Sequence, residues 1–252
     1  MYFESHAHYD DKQFNADRDQ LLKEFPSCGI DIVINSASGL KSSRTGLKLA
    51  EKYDYIYASV GVHPHELNNM TDETIAELRR LADHKKCVAI GEIGLDYHYE
   101  NNPRETQRFW FKKQLKLAEE LRLPVIIHSR EASQECFDII RQSKVRKGVI
   151  HCYSGSAEMA KEYVKMGFYI GIGGVVTYPN ARSMVETAEA IPLEKILIET
   201  DSPYLAPVPN RGKRNDSRNL EYIVNKLADI KNVSPEKVAN ITFQNGKKLF
   251  LK

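Results

Sequence analysis

The stretch Tyr2-Phe3-Glu4-Ser5-His6-Ala7-His8 decides the fold of this 252-residue chain. It predicts a short, buried β-strand, and that strand ends in His-Ala-His. An open, doubly wound sheet, which is the main alternative, normally follows its first strand with a glycine-rich turn. The histidine pair at this place therefore favours an α/β fold of the TIM-like (β/α)8 barrel type, in which functional side chains gather at the carboxyl ends of the strands.

The remainder of the chain alternates short runs rich in Val and Ile with longer amphipathic runs. The predicted strands are Tyr2–His8, Asp31–Ala37, Ile56–His63, Cys87–Gly94, Pro124–Arg130, Gly148–Tyr153, Phe168–Val176 and Ile196–Asp201. Helices fill the gaps, and Asn102 is predicted to cap one that starts at Pro103. Eight such units in about 250 residues are typical of a barrel, so we predict a single domain over residues 1–252.

Polar residues close seven of the eight predicted strands. They are His6, Asn35, His63, Glu92, His128, His151 and Asp201. His6 and Asp201 lie 195 positions apart, and seven units of about 28 residues each suit one strand with its helix. Because all strands of a barrel end at one rim, we expect these side chains to meet there.

Composition excludes several classes of protein. The chain has 36 Lys and Arg against 34 Asp and Glu, a net charge of +2, which argues against a purely electrostatic nucleic-acid binder. No run approaches the roughly 18–20 apolar residues of a membrane helix, and no secretory signal is visible. The four cysteines are widely spaced, which predicts buried thiols in a reducing cytoplasm rather than disulfides.

Two histidines close the first predicted strand. His6 and His8 are two residues apart, so both side chains face the same side of the strand. Imidazole is the commonest protein ligand for metals, and the pair can share one ion. Asp201 ends the eighth strand and neighbours the first strand once the barrel closes. It can join this ion and accept a proton from water; a helix cap at Asp201 stays open as the alternative.

Glu92 lies within Ile90-Gly91-Glu92-Ile93-Gly94-Leu95-Asp96, a stretch that otherwise predicts a buried strand. A buried carboxylate is costly unless it is paired or bound to a metal, and its two oxygens can serve two ions. His128 and His151 each close an apolar strand and, with Glu92, suit a second ion. A structural ion pair at Glu92 is the alternative.

His63 follows the third predicted strand in Gly61-Val62-His63-Pro64-His65. Its place at the expected barrel mouth predicts a catalytic or substrate-orienting role. His65 is predicted to be a loop residue without chemistry.

Basic and aromatic residues are also expected at the mouth. Arg211, Lys213 and Arg214 lie in the loop after the eighth strand and can attract phosphates; a solvated surface loop is the alternative. Arg130 ends the fifth strand and is predicted to contact phosphate for the same positional reason. Tyr153 ends the sixth strand, and its ring can stack on a base of a single strand.

Six ordered motifs resemble the TatD family of metal-dependent hydrolases. They are His6-x-His8, residues 61–65, residues 91–97, Pro124-Val125-Ile126-Ile127-His128-Ser129-Arg130, residues 151–155 and Glu199-Thr200-Asp201-Ser202-Pro203 with the four residues that follow. The similarity runs in order from residue 6 to about residue 215. After Arg214-Asn215 this chain has Asp216-Ser217, where the family usually has Glu-Pro.

The resemblance implies a (β/α)8-like barrel of the amidohydrolase-like superfamily, whose TatD members are mostly described as DNases. It implies a first metal held by His6, His8, Glu92 and Asp201. It implies a second metal held by Glu92, His128 and His151. Both sets agree with the strand-end assignment above.

We therefore predict a divalent-metal-dependent phosphodiester hydrolase, a deoxyribonuclease of exonuclease-like action. Two ions of Mg²⁺, Mn²⁺ or Zn²⁺ activate a water, Asp201 takes its proton, and His63 or a metal-bound water assists the leaving group. The predicted partner is DNA, single-stranded or end-exposed, without a membrane or an obligate protein partner. The alternatives are a D-aminoacyl-tRNA deacylase, another ester or amide hydrolase of the superfamily, and a non-catalytic metal-binding barrel.

Overall fold

Eight parallel strands lie side by side in chain order and form the wall of a barrel. The structure, a computed structural model, describes residues 1–99 and 101–251. The strands are β1 (Tyr2–Ala7), β2 (Ile30–Asn35), β3 (Ile56–Val60), β4 (Cys87–Asp96), β5 (Val125–Arg130), β6 (Gly148–Ile150), β7 (Tyr169–Ile172) and β8 (Ile196–Ile198). The predicted TIM-like (β/α)8 fold is confirmed, and the doubly wound alternative is wrong because the strands follow one another in sequence order.

Helices connect successive strands and cover the outside of the barrel. They are α1 (Arg18–Glu24), α2 (Leu40–Lys52), α3 (Asp72–Ala82), α4 (Arg104–Leu121), α5 (Ser133–Gln142), α6 (Ala157–Lys165), α7 (Arg182–Ala190), α8 (Leu220–Lys231) and α9 (Pro235–Phe250). The helix α9 starts at Ser234-Pro235, where the Ser234 hydroxyl accepts a hydrogen bond from the backbone of Lys237. Across the described residues, we find no helix with both the length and the apolar character needed to cross a bilayer.

The amino-terminal end of the barrel is filled by aromatic side chains. Phe243 and Phe250 of α9 pack on Phe3 of β1, with ring centroids 6.2 and 6.0 Å away. All three rings are buried. This apolar packing leaves the opposite, carboxyl end of the strands for polar side chains.

The barrel closes between β1 and the segment that follows β8. The backbone N–H of Asp201 donates to the carbonyl of His6 at 3.0 Å, and the N–H of His8 donates to the carbonyl of Ser202 at 2.8 Å. Ala7 and Ser202 form a parallel bridge between these two bonds. The closure thus lies at the carboxyl rim and joins Asp201 to the His-Ala-His segment directly.

The long strand β4 is buried along its whole length. Gly94 adopts a φ of +149°, and a Cβ there would lie 1.9 Å from the carbonyl oxygen of His128. Only glycine allows the backbones of β4 and β5 to approach this closely. The approach holds Glu92 of β4 beside His128 of β5.

Several strands end before their predicted limits, and β7 differs most. It stops at Ile172, and Gly174–Thr177 forms a 3-10 turn instead of continuing to Val176. This segment is fastened to the loop after β8, because the Tyr178 hydroxyl donates to the Ala206 carbonyl at 3.0 Å. The Val208 N–H also donates to the Thr177 hydroxyl at 2.9 Å. These long-range bonds have no signature in the local sequence.

Two local predictions are wrong. Asn102 does not cap α4, since its side-chain amide is buried and donates to the carbonyl of Pro64 at 2.9 Å. The residue before α4 is Pro103, which carries no capping side chain.

The cysteines are not all buried either, because Cys28 is exposed and Cys152 is partly exposed.

Candidate metal centre

Four side chains from β1 and the residue after it, from β4 and from the segment that follows β8 form what we call the first cluster: His6, His8, Glu92 and Asp201. The Nε2 atoms of His6 and His8 lie 3.1 Å apart. Glu92 Oε2 lies 3.3 and 3.6 Å from these two nitrogens. Asp201 Oδ1 lies 3.5 Å from each of them. Four potential ligand atoms thus converge on one point.

Three side chains from β4, β5 and the end of β6 form the second cluster: Glu92, His128 and His151. Glu92 Oε1 lies 2.8 Å from His128 Nδ1 and 2.7 Å from His151 Nε2. These two nitrogens are 3.4 Å apart. The His151 ring also stacks on the His6 ring at 3.8 Å. Glu92 therefore offers one carboxylate oxygen to each cluster, and the two clusters are in contact.

The hydrogen bonds on the far side of the rings fix which nitrogen carries the proton. His8 Nδ1 lies 2.9 Å from the carbonyl oxygen of Ser36, which can only accept. Nδ1 is therefore the protonated nitrogen of neutral His8, and the lone pair sits on Nε2. In His128 the two nitrogens have the opposite roles. Its Nε2–H donates to Asp96 Oδ2 at 2.9 Å, which leaves the lone pair of the neutral ring on Nδ1. In both rings the lone pair faces Glu92.

The carboxylates of this region need positive charge beside them. Burial would raise the pKa of Glu92, but the surrounding imidazoles, His151 first, hold it well below its usual range. Burial opposes charge on His8 too, yet Asp201 and Glu92 raise its pKa to about 9. The pKa values of His128 and His151 are raised against burial by carboxylates in the same way. Protons on these imidazoles balance the carboxylates where a divalent ion would otherwise do so.

The spacing of the donors also fits a divalent ion. Ligand atoms around a tetrahedral zinc with bonds of about 2.0–2.1 Å lie about 3.4 Å from one another, close to the 3.1–3.6 Å of the first cluster. Imidazole and carboxylate donors suit zinc and manganese, and magnesium with more water ligands. The residues present therefore fit the metals that the sequence predicts.

His63 also faces Glu92, but it presents a donor. Its Nε2 lies 3.5 Å from Glu92 Oε1, and with His128 it is close enough to count as a ligand by distance alone. Its Nδ1, however, accepts the backbone N–H of His65 at 3.1 Å. Neutral His63 therefore carries its proton on Nε2, and burial lowers its pKa well below the usual range. This arrangement favours a hydrogen-bond donor over a metal ligand.

Asp201 occupies an unusual backbone position. Its φ is +56°, and the turn is closed by the Tyr204 N–H, which donates to the Asp201 carbonyl at 2.9 Å. The next helical turn begins only at Ser217, so the helix-cap alternative is wrong. Burial would raise the Asp201 pKa, but His8 and His6 lower it. The carboxylate is therefore ionised near neutral pH and able to accept a proton.

Two buried carboxylates behind the histidines have no role in the sequence-based assignment. Asp96 bonds His128 and lies 3.0 Å from His65 Nε2, and Glu199 lies 3.7 Å from His151 Nδ1. A signal for Asp96 exists, because it lies four residues after Glu92 on the same strand and alternation puts both on one face. Glu199 carries the weaker signal of a charge inside an apolar strand end. His65, which was predicted to be a loop residue without chemistry, thus contacts Asp96.

Two residues that were predicted to contact substrate bind other parts of the protein instead. The Tyr153 ring is 3% exposed, and its hydroxyl donates to the Ser156 carbonyl at 2.7 Å, so it presents no face to a base. Arg214 pairs with both carboxylate oxygens of Asp17 and covers the Phe14 ring. Tyr153 is therefore not a stacking surface, and the charge of Arg214 is already paired with a carboxylate.

The other three predicted contacts lie on the surface of the mouth. The Arg130 guanidinium sits 4.9 Å above the ring of Tyr99, which is 47% exposed. The Arg211 guanidinium sits 4.4 Å above the ring of Tyr178. Lys213 is exposed. Within residues 1–99 and 101–251, we find no carboxylate within 4.0 Å of these three cations.

A (β/α)8 barrel with a histidine and carboxylate cluster at its carboxyl rim is typical of metal-dependent hydrolases. Residues 3–251 match the family described as TatD related DNase. The chain belongs to the TatD family of metal-dependent hydrolases.

Relatives match this chain over nearly its full length. The uncharacterized metal-dependent hydrolase YabD of Bacillus subtilis is 38% identical, over 99% of both chains. The uncharacterized metal-dependent hydrolase YcfH of Escherichia coli K12 is 35% identical, over 98% of this chain and 94% of YcfH. The crystal structure of YjjV, a TatD homolog from Escherichia coli K12, superposes with a TM-score of 0.94 at 30% identity, over 99% of this chain and 97% of YjjV.

Proposed function

We propose that this hydrolase cleaves phosphodiester bonds of DNA and uses two divalent ions to do so. The observation that carries the proposal is the placement of Glu92, whose Oε2 belongs to the first cluster and Oε1 to the second. Paired sites that share one carboxylate suit in-line attack on a phosphodiester, in which both the attacking and the leaving oxygen need stabilisation.

The two clusters would hold the ions with different ligand sets. His6, His8 and Asp201 would hold one ion, and His128 and His151 would hold the other, with Glu92 shared. When bound, such ions lower the pKa of a coordinated water and polarise phosphoryl oxygens. Mn²⁺, Zn²⁺ and Mg²⁺ are the candidates, and the four imidazoles favour the first two.

Asp201 would accept a proton, and His63 would donate a hydrogen bond. Asp201 is ionised and partly open to the mouth, so it can accept a proton from the attacking water. His63 points its Nε2–H toward the Glu92 carboxylate and can donate a hydrogen bond, without transferring the proton, to the oxygen that leaves. The two residues lie on opposite sides of the Glu92 carboxylate, since one faces Oε2 through the first cluster and the other faces Oε1.

Exposed aromatic rings and cations at the mouth support single-stranded or end-exposed DNA as the substrate. The rings of Tyr99 and Tyr204 are 47% and 48% exposed, and aromatic faces stack on unpaired bases. Arg130, Arg211 and Lys213 add positive charge for phosphates. Duplex ends that fray would present the same groups.

The test is incubation of metal-reconstituted protein with end-labelled single- and double-stranded DNA and RNA. We expect cleavage of single-stranded DNA that is lost in Asp201→Asn and retained in Asp10→Asn. Asp10 is a matched control, because its carboxylate accepts hydrogen bonds from Asn35 and Ser42 and acts on His8 only through its charge. Release of an amino acid from D-aminoacyl-tRNA without cleavage of DNA would favour the ester-hydrolase alternative. No turnover on nucleic acid, ester or amide would favour the metal-binding barrel.

A further inference from the structure

The histidines of the two clusters differ in what supports them from behind. In the first cluster one neutral residue of the β2 end serves both rings. The Ser36 hydroxyl lies 3.1 Å from His6 Nδ1, and the Ser36 carbonyl lies 2.9 Å from His8 Nδ1. In the second cluster each ring has a buried carboxylate behind it.

Asp96 supports His128 and is itself held rigidly. It is 1% exposed, and its Oδ2 accepts a hydrogen bond from His128 Nε2 at 2.9 Å. Its Oδ1 accepts the backbone N–H groups of His98 and Tyr99 at 3.0 and 3.2 Å. Gln107 of α4 bonds both the N–H and the carbonyl of Asp96, at 2.8 and 2.9 Å. A carboxylate fixed in this way determines the plane and the tautomer of the ring in front of it.

Glu199 lies behind His151, but without a direct hydrogen bond to it. It is fully buried, accepts the backbone N–H of Cys152, and has Oε1 3.7 Å from His151 Nδ1. That distance exceeds a hydrogen bond. Within the described part of the chain, His151 Nδ1 and the other oxygen of Glu199, Oε2, are buried without a hydrogen-bond partner. A Cβ at residue 171 would lie 2.5 Å from Glu199 Oε2, and glycine there leaves the space for this carboxylate.

We infer that Asp96 and Glu199 are positioning residues of the second cluster and set how tightly that cluster holds its ion. The second cluster has three protein ligands, one fewer than the first. A carboxylate behind an imidazole fixes its orientation and raises its basicity, and loss of such a partner weakens metal affinity by about 10–100-fold. The two buried carboxylates therefore compensate for the missing ligand. The inference rests on the two-ion site of the proposed function, but not on the substrate.

The experiment measures the two successive dissociation constants for Mn²⁺ by equilibrium dialysis of the metal-free protein. We expect Asp96→Ala and Glu199→Gln to weaken one constant by about 10–100-fold and to leave the other within a few-fold of the wild type. Asp96→Asn keeps one oxygen for the backbone N–H groups of His98 and Tyr99 and turns its amide N–H2 toward His128, so it removes the acceptor and the charge while preserving the turn. Ser36→Ala is the matched control, because it removes the hydroxyl behind His6 and is expected to weaken the other constant.

Three results would overturn the inference. Unchanged constants in Asp96→Asn, Asp96→Ala and Glu199→Gln would remove the positioning role. Equal weakening of both constants would indicate general loosening of the mouth instead of support for one cluster. A single ion in the wild type would contradict the proposed function first and would remove the second site as well. If Asp96→Ala unfolds because it leaves two backbone N–H groups unpaired, Asp96→Asn and Glu199→Gln still decide the outcome.

Discussion

Glu92 is a buried carboxylate that lies between the two clusters. It is 3% exposed on a strand that is buried throughout, where an unpaired carboxylate would be destabilising. The histidines of both clusters and His63 surround it, and their nitrogens supply the missing counter-charges. The same surroundings make it the one group among the described residues that faces both clusters.

Replacing Glu92 by Gln tests this dual role. We expect the change to weaken binding of both ions by more than the roughly 100-fold loss expected for outer partners, since a direct ligand of each is removed. Metal content after dialysis, measured by mass spectrometry of the eluted ions, checks the result. Retention of both ions would contradict the bridging assignment.

His63 provides a test that is independent of metal binding. His63→Phe removes the hydrogen-bond donor, and we expect kcat to fall by about 10²–10³-fold while metal content stays at the wild-type level. A nitrophenolate leaving group carries its negative charge stably and needs little help from a hydrogen-bond donor, so hydrolysis of such a phosphodiester should fall much less. Equal losses on both substrates would contradict the donor role, and loss of an ion would make His63 a ligand.

The pKa shifts give a pH dependence for metal uptake. His8 has a pKa of about 9 in the metal-free protein, so it is protonated at pH 7 and must lose that proton to bind an ion. The raised pKa values of His128 and His151 add in the same direction. We expect proton release on Mn²⁺ binding at pH 7 and tighter binding as the pH rises toward 9. Calorimetry in buffers of different ionisation enthalpy measures the release, and its absence would contradict the assigned protonation states.

At the scale of elements, the contact between β4 and β5 holds the two halves of the centre together. Gly94→Ala would place a methyl group 1.9 Å from the His128 carbonyl and force the strands apart. Forced overpacking of this kind lowers the free energy of unfolding by about 1–3 kcal/mol, and the shift would also move His128 away from Glu92. Denaturant unfolding and metal affinity measure the two effects.

Gly212→Ala is the matched control for that change. Gly212 also has a positive φ, of +87°, but a Cβ there meets nothing within 4 Å. The control therefore carries the backbone strain without the clash, and we expect it to destabilise less and to leave metal affinity unchanged. Equal effects of the two substitutions would show that the close approach of the strands is unimportant.

The elements also show what a sequence can and cannot predict. Strand order and the convergence of His6, Glu92 and Asp201 were predictable, because strand ends in a barrel share one rim and short strands fix the side on which a residue lies. The end of β7 and the start of α4 were not predictable, since Thr177 and Asn102 bond segments far away in the chain. Side-chain partners across long sequence distances leave no local pattern.

At the scale of the whole molecule, the net charge of +2 hides an uneven distribution. The loop after β8 contains four basic residues, but Arg214 pairs with Asp17, and Arg218 pairs with Asp216 and Glu24. The local basic surface is therefore smaller than the sequence predicts. The partner of Arg214 could not be inferred from the loop alone, because Asp17 lies 197 positions earlier in the chain.

Because of this distribution, we expect two substitutions in the loop after β8 to have different effects on DNA binding. We expect the double variant Arg211→Ala/Lys213→Ala to reduce the salt dependence of single-stranded DNA binding, by a slope of about 0.7 for each phosphate that the protein no longer neutralises. Arg214→Ala should leave that slope unchanged and lower the free energy of unfolding by up to about 1 kcal/mol, as expected for a partly exposed ion pair. Binding isotherms over a range of salt concentrations decide, and a slope that changes only in Arg214→Ala would contradict the assignment.

The most direct test of the two-ion hydrolase is single-turnover cleavage of end-labelled, single-stranded DNA as a function of ions bound per protein. If two clusters share Glu92, the rate should follow the fraction of protein that holds two ions, and so rise more steeply between one and two equivalents of Mn²⁺ than below one. Full activity at one equivalent, or no cleavage at two, would contradict the account.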